Sequence, residues 1–404
     1  MIDKQNRPIL GFPEFKEEWK NKKLKEVAKI GRGKSKHRPR DAEFLYGGKY
    51  PFIQTGDIRK TELYLTSFTQ TYSEDGLKQS KLWDEDTLCI TIAANIAETA
   101  ILKIKACFPD SIIGLIPKEN ETTVLFVKHL FDKFKIQIQS LSQGAAQDNL
   151  NQEKLSNIDF TFPTIIEQQK IATFLTAVDE KIQALKHKKN LLKQYKKGVM
   201  QKIFSQELRF KDDSGNYFSD WEENKLGEVL KKNSKKNKNQ EFKLVQSVSN
   251  KHGFVNQDEY FEDRIIASKD LSNYYVIQKG DFAYNPSRID VGSLAYKFDN
   301  KTSVISPLYI SFKTDKNYLN DNFLLEWFFT EKFTRQMNSS FEGSVRNTLS
   351  YESLTKIKIE FPSLEEQTKI TNFLSAIDSK INHCQSQIKK TEVWKKGLLQ
   401  QMFV

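Results

Sequence analysis

The sequence is short of the residues that usually build chemistry. Its 404 residues include three cysteines, Cys89, Cys107 and Cys384, far apart and without a CxxC pair. That pattern excludes a disulfide framework and a cysteine-built zinc site. The histidines (His37, His129, His187, His252 and His383) are scattered, with no metal-ligand or triad companion nearby in sequence, so all read as structural. No apolar run approaches the roughly 20 residues that span a bilayer. The N-terminal MIDKQNRPIL lacks the apolar centre of a signal peptide. The expectation is a soluble, cytoplasmic protein.

Three fragments suggest catalysis and fall short of it. The stretch AKIGRGKSKHRPR, 28–40, fits a relaxed phosphate-binding loop through Gly33-Lys34-Ser35. Such a loop must run from a buried strand into a helix N-terminus whose free N–H groups hold the phosphates. Here the basic cluster and Pro39 make a poor first helical turn, and the matching KKNSKKNKNQ, 231–240, has no GKS. Asn285-Pro286-Ser287-Arg288 is similar to the loop with which amino-methyltransferases grip a flipped base, but lacks its second proline and its aromatic. Pro109-Asp110 could open a nuclease site, which needs a further carboxylate two residues before a lysine; Ile116 stands there before Lys118. Neither a catalytic constellation nor a metal site is visible, and no cofactor is expected on this chain.

What is present is positive charge and repetition. Lys and Arg outnumber Asp and Glu by 63 to 52, a formal charge of +11 that favours a polyanionic partner. Residues 162–204, opening FPTIIEQQKIATFLTAVDEKI, match residues 361–403, opening FPSLEEQTKITNFLSAIDSKI, at 17 of 43 ungapped positions. The two halves also begin alike, with WKNKKLKEV at 19–27 and WEENKLGEV at 221–229. Between these anchors the sequences diverge. A unit was duplicated, its frame kept and its filling changed.

The retained frame reads as helix. Ile171, Val178, Leu185, Leu192 and Val199 recur every seven residues; Leu175, Ile182 and Ile203 fill the neighbouring stripe, as Leu374, Ile381, Ile388 and Met402 do in the second copy. A period of seven sustained this long indicates coiled-coil packing. The preceding Phe-Pro sets each helix start. The filling reads as short strands (87–93, 99–105, 111–117, 292–298, 306–312), with helices over 124–141 and 322–339. Each half is expected to be an α+β globule of roughly 150 residues followed by one long helix.

Candidate nucleic-acid contacts lie in the filling. Lys34, Lys36, Arg38 and Arg40, and in the second half Lys235 and Lys236, suit phosphate contacts, which position a protein without reading sequence. Gln54 in PFIQTGDIRK has a counterpart in Gln246 of KLVQSVSNKH, and amide side chains can read adenine edges. Thr55 and Asp57 beside the first glutamine and Ser247 beside the second join that set, as do Asn285 and Arg288. The loops just upstream of the long helices add Gln147, Asn149, Arg346 and Asn347.

The order of globule, helix with FP-x3-EQ-x2-I-x2-FL-x-A-x-D-x-KI, globule and helix resembles the DNA specificity subunit of type I restriction–modification systems. The W-x4-L-x-EV start of each half and the TGDI at 55–58 are similar too. The resemblance implies a non-catalytic chain with two target-recognition domains, 1–160 and 208–359, each reading half of a bipartite DNA site. It implies two long helices, 161–207 and 360–404, paired antiparallel in a pseudo-two-fold repeat as spacer and docking scaffold. Glu167, Gln168, Phe174 and Asp179, with Glu366, Gln367, Phe373 and Asp378, mark that scaffold. Two modification subunits and restriction subunits would bring S-adenosylmethionine, ATP and Mg. The lysines of the first helix (181, 186, 188, 189, 193, 196, 197 and 202) are candidates for docking. Two other classes remain open: a stand-alone methyltransferase or nuclease with degenerate motifs, and a partner-free structural DNA-binding protein.

Overall fold

The computed structural model describes residues 6–93, 95–142, 150–260, 268–342 and 347–404. The chain forms two compact units: residues 1–188 together with 384–404, and residues 189–383. Both long helices are present, Ile165–Phe204 and Leu364–Met402. Each is divided between the units, so the helices are not separate bodies as the boundaries 1–160, 161–207, 208–359 and 360–404 suggest. Among the described residues, no helix is long and apolar enough to cross a membrane.

The repeated sequence anchors meet in space. In the first unit, WKNKK forms the strand Lys20–Lys23, which pairs antiparallel with Asp159–Phe162, the strand that ends in Phe-Pro. In the second, Glu222–Lys225 pairs with Lys358–Phe361 in the same way. Each long helix therefore leaves a ribbon that ties the start of its globule to the end. The proline stands two residues before the first helical residue, and the residue between them caps the helix. Thr164 Oγ1 accepts from the Glu167 N–H at 3.4 Å, and Ser363 Oγ from the Glu366 N–H at 3.4 Å.

The repeat continues into the sheets, where the sequences no longer show it. In the first unit a sheet runs in the spatial order Ala28–Arg32, Ile112–Pro117, Leu88–Thr91, Thr99–Leu102, with Tyr64–Leu65 at its edge. In the second the order is Leu230–Lys232, Ile310–Thr314, Phe282–Tyr284, Leu294–Tyr296. All pairings among the four shared strands are antiparallel. What differs is the second layer. The first unit adds a four-stranded sheet of Gln70–Tyr72, Tyr46–Phe52, Ala106–Cys107 and Leu82–Trp83. The second adds two two-stranded ribbons, Gln246–Ser249 with Gly253–Asn256 and Tyr275–Ile277 with Ser303–Ile305.

A helix forms at Val124–Ser140 as the pattern predicts. The single helix expected over 322–339 is instead two, Asp321–Trp327 and Glu331–Ser339. Thr330 makes the break, because its hydroxyl accepts from the Phe333 N–H at 3.2 Å and starts a new helix. Of the seven-residue stripe, Ile171 and Val178 are buried while Leu185, Leu192 and Val199 are half-buried.

In the first unit, Leu398, Leu399, Met402 and Phe403 of the second helix and its tail enter one core with Trp19, Phe126, Ile171 and Leu175. In the second unit, Ile203 and Phe204 enter a core with Leu226, Phe323, Ile370 and Leu374. Within the first unit the helices run antiparallel: Asp179 meets Lys395 at 2.7 Å, and Lys186, further along, meets Glu392 at 3.2 Å.

Candidate nucleic-acid interface

The segment after Arg32 is not a phosphate-binding loop. A Cβ on Gly33 would lie 2.2 Å from the Pro109 carbonyl oxygen and 2.4 Å from that of Phe108, so this glycine serves close strand packing. Ser35 is buried with its hydroxyl 3.4 Å from Tyr72. No helix follows until a single 3-10 turn at Glu43–Leu45. Lys34, Lys36, Arg38 and Arg40 are exposed along an extended run. Arg38 donates to the Ser35 and His37 carbonyls at 2.7 Å each, which stiffens the bend. Arg40 pairs with Asp110 at 2.8 Å, a carboxylate that a nuclease would need free.

The backbone brings this run and Gln54 to neighbouring residues of one strand end. The Lys34 N–H donates to the Phe108 carbonyl at 3.1 Å, and the Ile53 N–H to that of Cys107 at 2.8 Å. Gln54 is half-buried, its amide donating to Gln70 Oε1 at 3.0 Å. It stands at the N-cap of the short helix Thr55–Lys60. Asp57 is buried, and its carboxylate accepts from the Gln54 N–H at 2.9 Å and from Thr69 at 3.3 Å. Asp57 is thus a cap that aims Gln54, and Thr55 is the first helical residue. Lys81 was not singled out from sequence; its ammonium lies 3.5 Å from the Trp83 ring centroid. Burial and then the charge of Lys34 lower its pKa below the usual lysine value, so two cations crowd one place.

The second unit arranges its candidates differently. Lys235 and Lys236 are exposed, and Lys236 donates to Asn273 at 3.2 Å. Gln246 does not match Gln54, because it is buried. Its Oε1 accepts from Lys297 and Ser303 at 2.7 Å each, and its amide donates to Asn256 at 2.9 Å. Ser247 is buried too and accepts from Gln257 at 2.7 Å. Lys297 is wholly buried, and Gln246 and Asp299 share its charge, which explains why the amide is held inward. Asn285 spends its carbonyl on the Ser287 N–H at 3.1 Å, holding a turn. Arg288 on that turn and Asn347 are both exposed. They belong to one place, since the Leu349 N–H donates to the Pro286 carbonyl at 3.0 Å. Gln147, Asn149 and Arg346 lie outside the described residues.

The repeated Glu-Gln pairs are internal braces and are not presented to a partner. Gln168 donates to the Pro163 and Glu121 carbonyls at 3.0 Å each and accepts from Thr122 at 2.7 Å. Gln367 donates to the Pro362 and Tyr318 carbonyls at 2.8 Å each and accepts from the Asn320 N–H at 2.8 Å. Each glutamine thus ties its helix start to the turn that leads into a neighbouring helix of its globule. Glu366 is fully buried and takes Arg209 in a two-point bond at 2.9 Å on both oxygens. Glu167 is buried with Trp19 Nε1 donating at 3.3 Å, and burial raises its carboxyl above the usual range. No spacing rule reaches Arg209, which is 157 residues from its partner.

Asp179 faces inward, and Asp378, though part-exposed, is likewise engaged within the fold. Lys395 meets Asp179 at 2.7 Å and Asp132 at 3.3 Å, while Lys196 meets Asp378 and Glu326 at 2.8 Å each. Lysines 196 and 395 are equivalent at the repeat offset, as are the aspartates, so each bridge crosses from one copy's helix to the other's. Burial pulls the Lys395 pKa down, but the two carboxylates together hold it above the usual lysine value. Lys186 is likewise engaged, by Glu62 and Glu392. Phe174 and Phe373 are half-buried.

Sequence spacing missed one cluster. His129 is buried, its Nδ1 unpartnered and 3.9 Å from Asp179 Oδ2 and 4.0 Å from Asp132 Oδ2. These three could offer ligand atoms to a metal ion. Lys128, bonded to Asp132 at 2.5 Å, and Lys395 already neutralise both carboxylates, which favours an ion-pair network. Burial drives the imidazole pKa down to about 3, so it stays neutral.

A doubled α+β frame with exposed basic runs beside its variable layer defines a two-module recognition protein. Comparison with known proteins gives the family: residues 16–194 and 218–391 each match the type I restriction modification DNA specificity domain, and the chain belongs to that family. The MjaIX specificity subunit of Methanocaldococcus jannaschii is 22% identical, across 92% of this chain and 89% of the relative. The MjaVIII specificity subunit of the same organism is 23% identical, across 95% and 91%. In fold, the chain is similar to the S subunit of a type I system from M. genitalium. That match has a TM-score of 0.58 and 16% identity, covering 98% of this chain and 99% of that one. A chain from a study of type I complex assembly gives a TM-score of 0.55 at 16% identity, covering 95% and 96%.

Proposed function

We propose that each globule reads one half of an asymmetric bipartite site in double-stranded DNA. The observation that carries this is the shared four-strand frame bearing two different second layers. Identical layers would read a symmetric site; different ones read two unlike halves. In the first unit Lys34, Lys36, Arg38 and Arg40 take phosphates while Gln54 meets a base edge. In the second, Lys235 and Lys236 take phosphates, and Arg288 and Asn347 are the exposed candidates for base contact. The long helices hold the readers apart and dock two modification subunits. Methyl transfer and ATP-driven cleavage then belong to modification and restriction subunits carrying S-adenosylmethionine, ATP and Mg, and the assembly works in the cytoplasm on host and incoming DNA.

The test is a segment exchange. Residues 30–155 are replaced by the equivalent from a relative, and methylation is mapped with the cognate modification subunits present. One half of the methylated site should change and the other stay. If both halves change, or neither does, independent reading is wrong. Methyl transfer by the pure chain alone would place the chemistry here and sink the subunit reading.

A further inference from the structure

One turn of the second unit is tightly built, yet it carries an apolar side chain that the fold leaves outside. It joins Phe282–Tyr284 to Leu294–Tyr296. In the first unit the turn at the same place in the sheet, between Leu88–Thr91 and Thr99–Leu102, buries Ile92 and Ala97. The second unit's turn sends Ile289 into the core and leaves Val291 54% exposed. Its backbone is closed on itself. The Arg288 N–H donates to the Asn285 carbonyl at 3.0 Å, and the Ser293 N–H donates back to that of Arg288 at 3.0 Å. Gly292 holds φ at +91°, a conformation that other residues rarely adopt. An Asp290 carboxylate oxygen accepts from the Val291 N–H at 2.9 Å.

Two further segments are stitched to this turn. The Ser293 hydroxyl donates to the Val248 carbonyl at 3.2 Å, and a Cβ on Gly292 would lie 3.6 Å from that of Asn250. The tip of the hairpin Gln246–Ser249 with Gly253–Asn256 is therefore its neighbour. The Ser287 and Thr348 hydroxyls lie 3.5 Å apart, beside the bond that brings Asn347 here. Asn250, Arg288 and Asn347 are exposed on this platform, and Val291 is the apolar residue among them. Arginine and asparagine read guanine and adenine through hydrogen bonds, and neither makes use of a methyl group. The base-edge feature that takes an apolar contact is the 5-methyl of thymine. Asp290 beside Val291 would repel a phosphate, which turns this part of the platform towards bases and away from the DNA backbone.

We propose that Val291 is a specificity-determining residue of the second globule, seating the 5-methyl group of one thymine in the second half-site. This rests on the reading of DNA by the second globule proposed above. The thymine methyl and the guanine O6 and N7 open onto the same major groove, so Arg288, three residues away, can address a nearby guanine while Val291 takes the methyl. The contact makes a distinction that hydrogen bonds cannot. Thymine and uracil present the same donors and acceptors and differ by this methyl alone.

The experiment removes the methyl from either side. The second half-site is mapped by methylation, and each of its thymines, on both strands, is replaced singly by deoxyuridine. Binding is measured for the full chain with its cognate modification subunits. One replacement should weaken wild-type binding about fourfold, the worth of one buried methyl group. The same replacement should change nothing for Val291→Ala, which should bind the natural site as weakly as the wild type binds the uracil site. Val291 is exposed, so the melting temperature of Val291→Ala should hold. A wild type indifferent to uracil throughout the second half-site, or a Val291→Ala variant that keeps the full uracil loss, would overturn the contact and leave the two readers standing. The two readers fail separately, if exchange of the second globule for a relative's leaves the second half-site unchanged. A Val291→Ala variant weakened alike on all DNA, or one that loses its modification subunits, would give the side chain another task and refute the proposal.

Discussion

Removing the Lys395 ammonium tests how the two long helices are tied together within the first unit. Its charge lies 2.7 Å from Asp179 and 3.3 Å from Asp132, and the three side chains are only 18%, 12% and 21% exposed. Breaking a buried pair by deleting one partner costs about 3–5 kcal/mol, because the remaining charge stays buried without compensation. Asp132 keeps Lys128 at 2.5 Å, whereas Asp179 has no other ammonium bonded to it among the described residues. Lys395→Met should therefore destabilise the first unit by about 3 kcal/mol, the lower end of that range. Adding Asp179→Asn removes the stranded charge and should restore about half of the loss. Because the folded lysine pKa is raised, the bridge's contribution is whole below the ordinary lysine value and is lost as pH rises through the folded one. The assay is hydrogen exchange along a urea series, read on peptides from each unit. Lys395→Met should speed exchange at 124–140 and 165–182 and leave 310–324 unchanged. A loss below about 0.5 kcal/mol, the usual scatter for surface changes, or a double variant that merely sums the single losses, refutes the network.

Other expectations follow from the same geometry. His129 stays neutral in the fold to about pH 3, while the unfolded imidazole takes its proton near its usual 6.5. Stability should therefore fall as pH drops between those values, by up to about 1.4 kcal/mol per pH unit. His129→Gln should remove one proton's worth of that slope in acid unfolding curves; an unchanged slope would mean the imidazole is not the group responsible. Lys36→Ala and Arg38→Ala should each weaken binding to every DNA sequence and reduce the log–log salt slope by about 0.9 per lost phosphate contact. A variant that instead changes preference among sequences would move that residue from phosphate to base. Gln54→Ala should cost about 1–3 kcal/mol and relax preference at one base pair of one half-site, measured by binding to a site library.

The parts of the fold legible in the sequence are those the duplication preserved. Phe-Pro and the seven-residue stripe placed both helices within a few residues, whereas the ribbons that the Trp-x4-Leu starts form with the ends of the globules were not foreseen. The four-strand frame was not legible as a repeat. Its strands need only short, largely apolar stretches such as LCIT and FAY, and many sequences supply those. Gln54 and Gln246 align by sequence, yet one lies at a helix cap near the surface and the other is enclosed by Lys297. A buried lysine gives no local sign of what it will bind. The Glu-Gln braces and His129 likewise depend on partners 46 to 157 residues away as well as on near neighbours. Family membership was legible because it resides in the scaffold, whereas base contacts reside in the layer that varies.

The division of the helices between the units carries a consequence for synthesis. Residues 189–383 are one continuous stretch and can close their core as soon as they clear the ribosome. The first unit cannot, because Phe403, packed 5.4 Å from Phe126 and 6.2 Å from Trp19, is made 277 residues after Phe126. The half translated first is thus the half completed last, and until then it shows the face of Phe126, Ile171 and Leu175 to whatever chaperone attends the nascent chain.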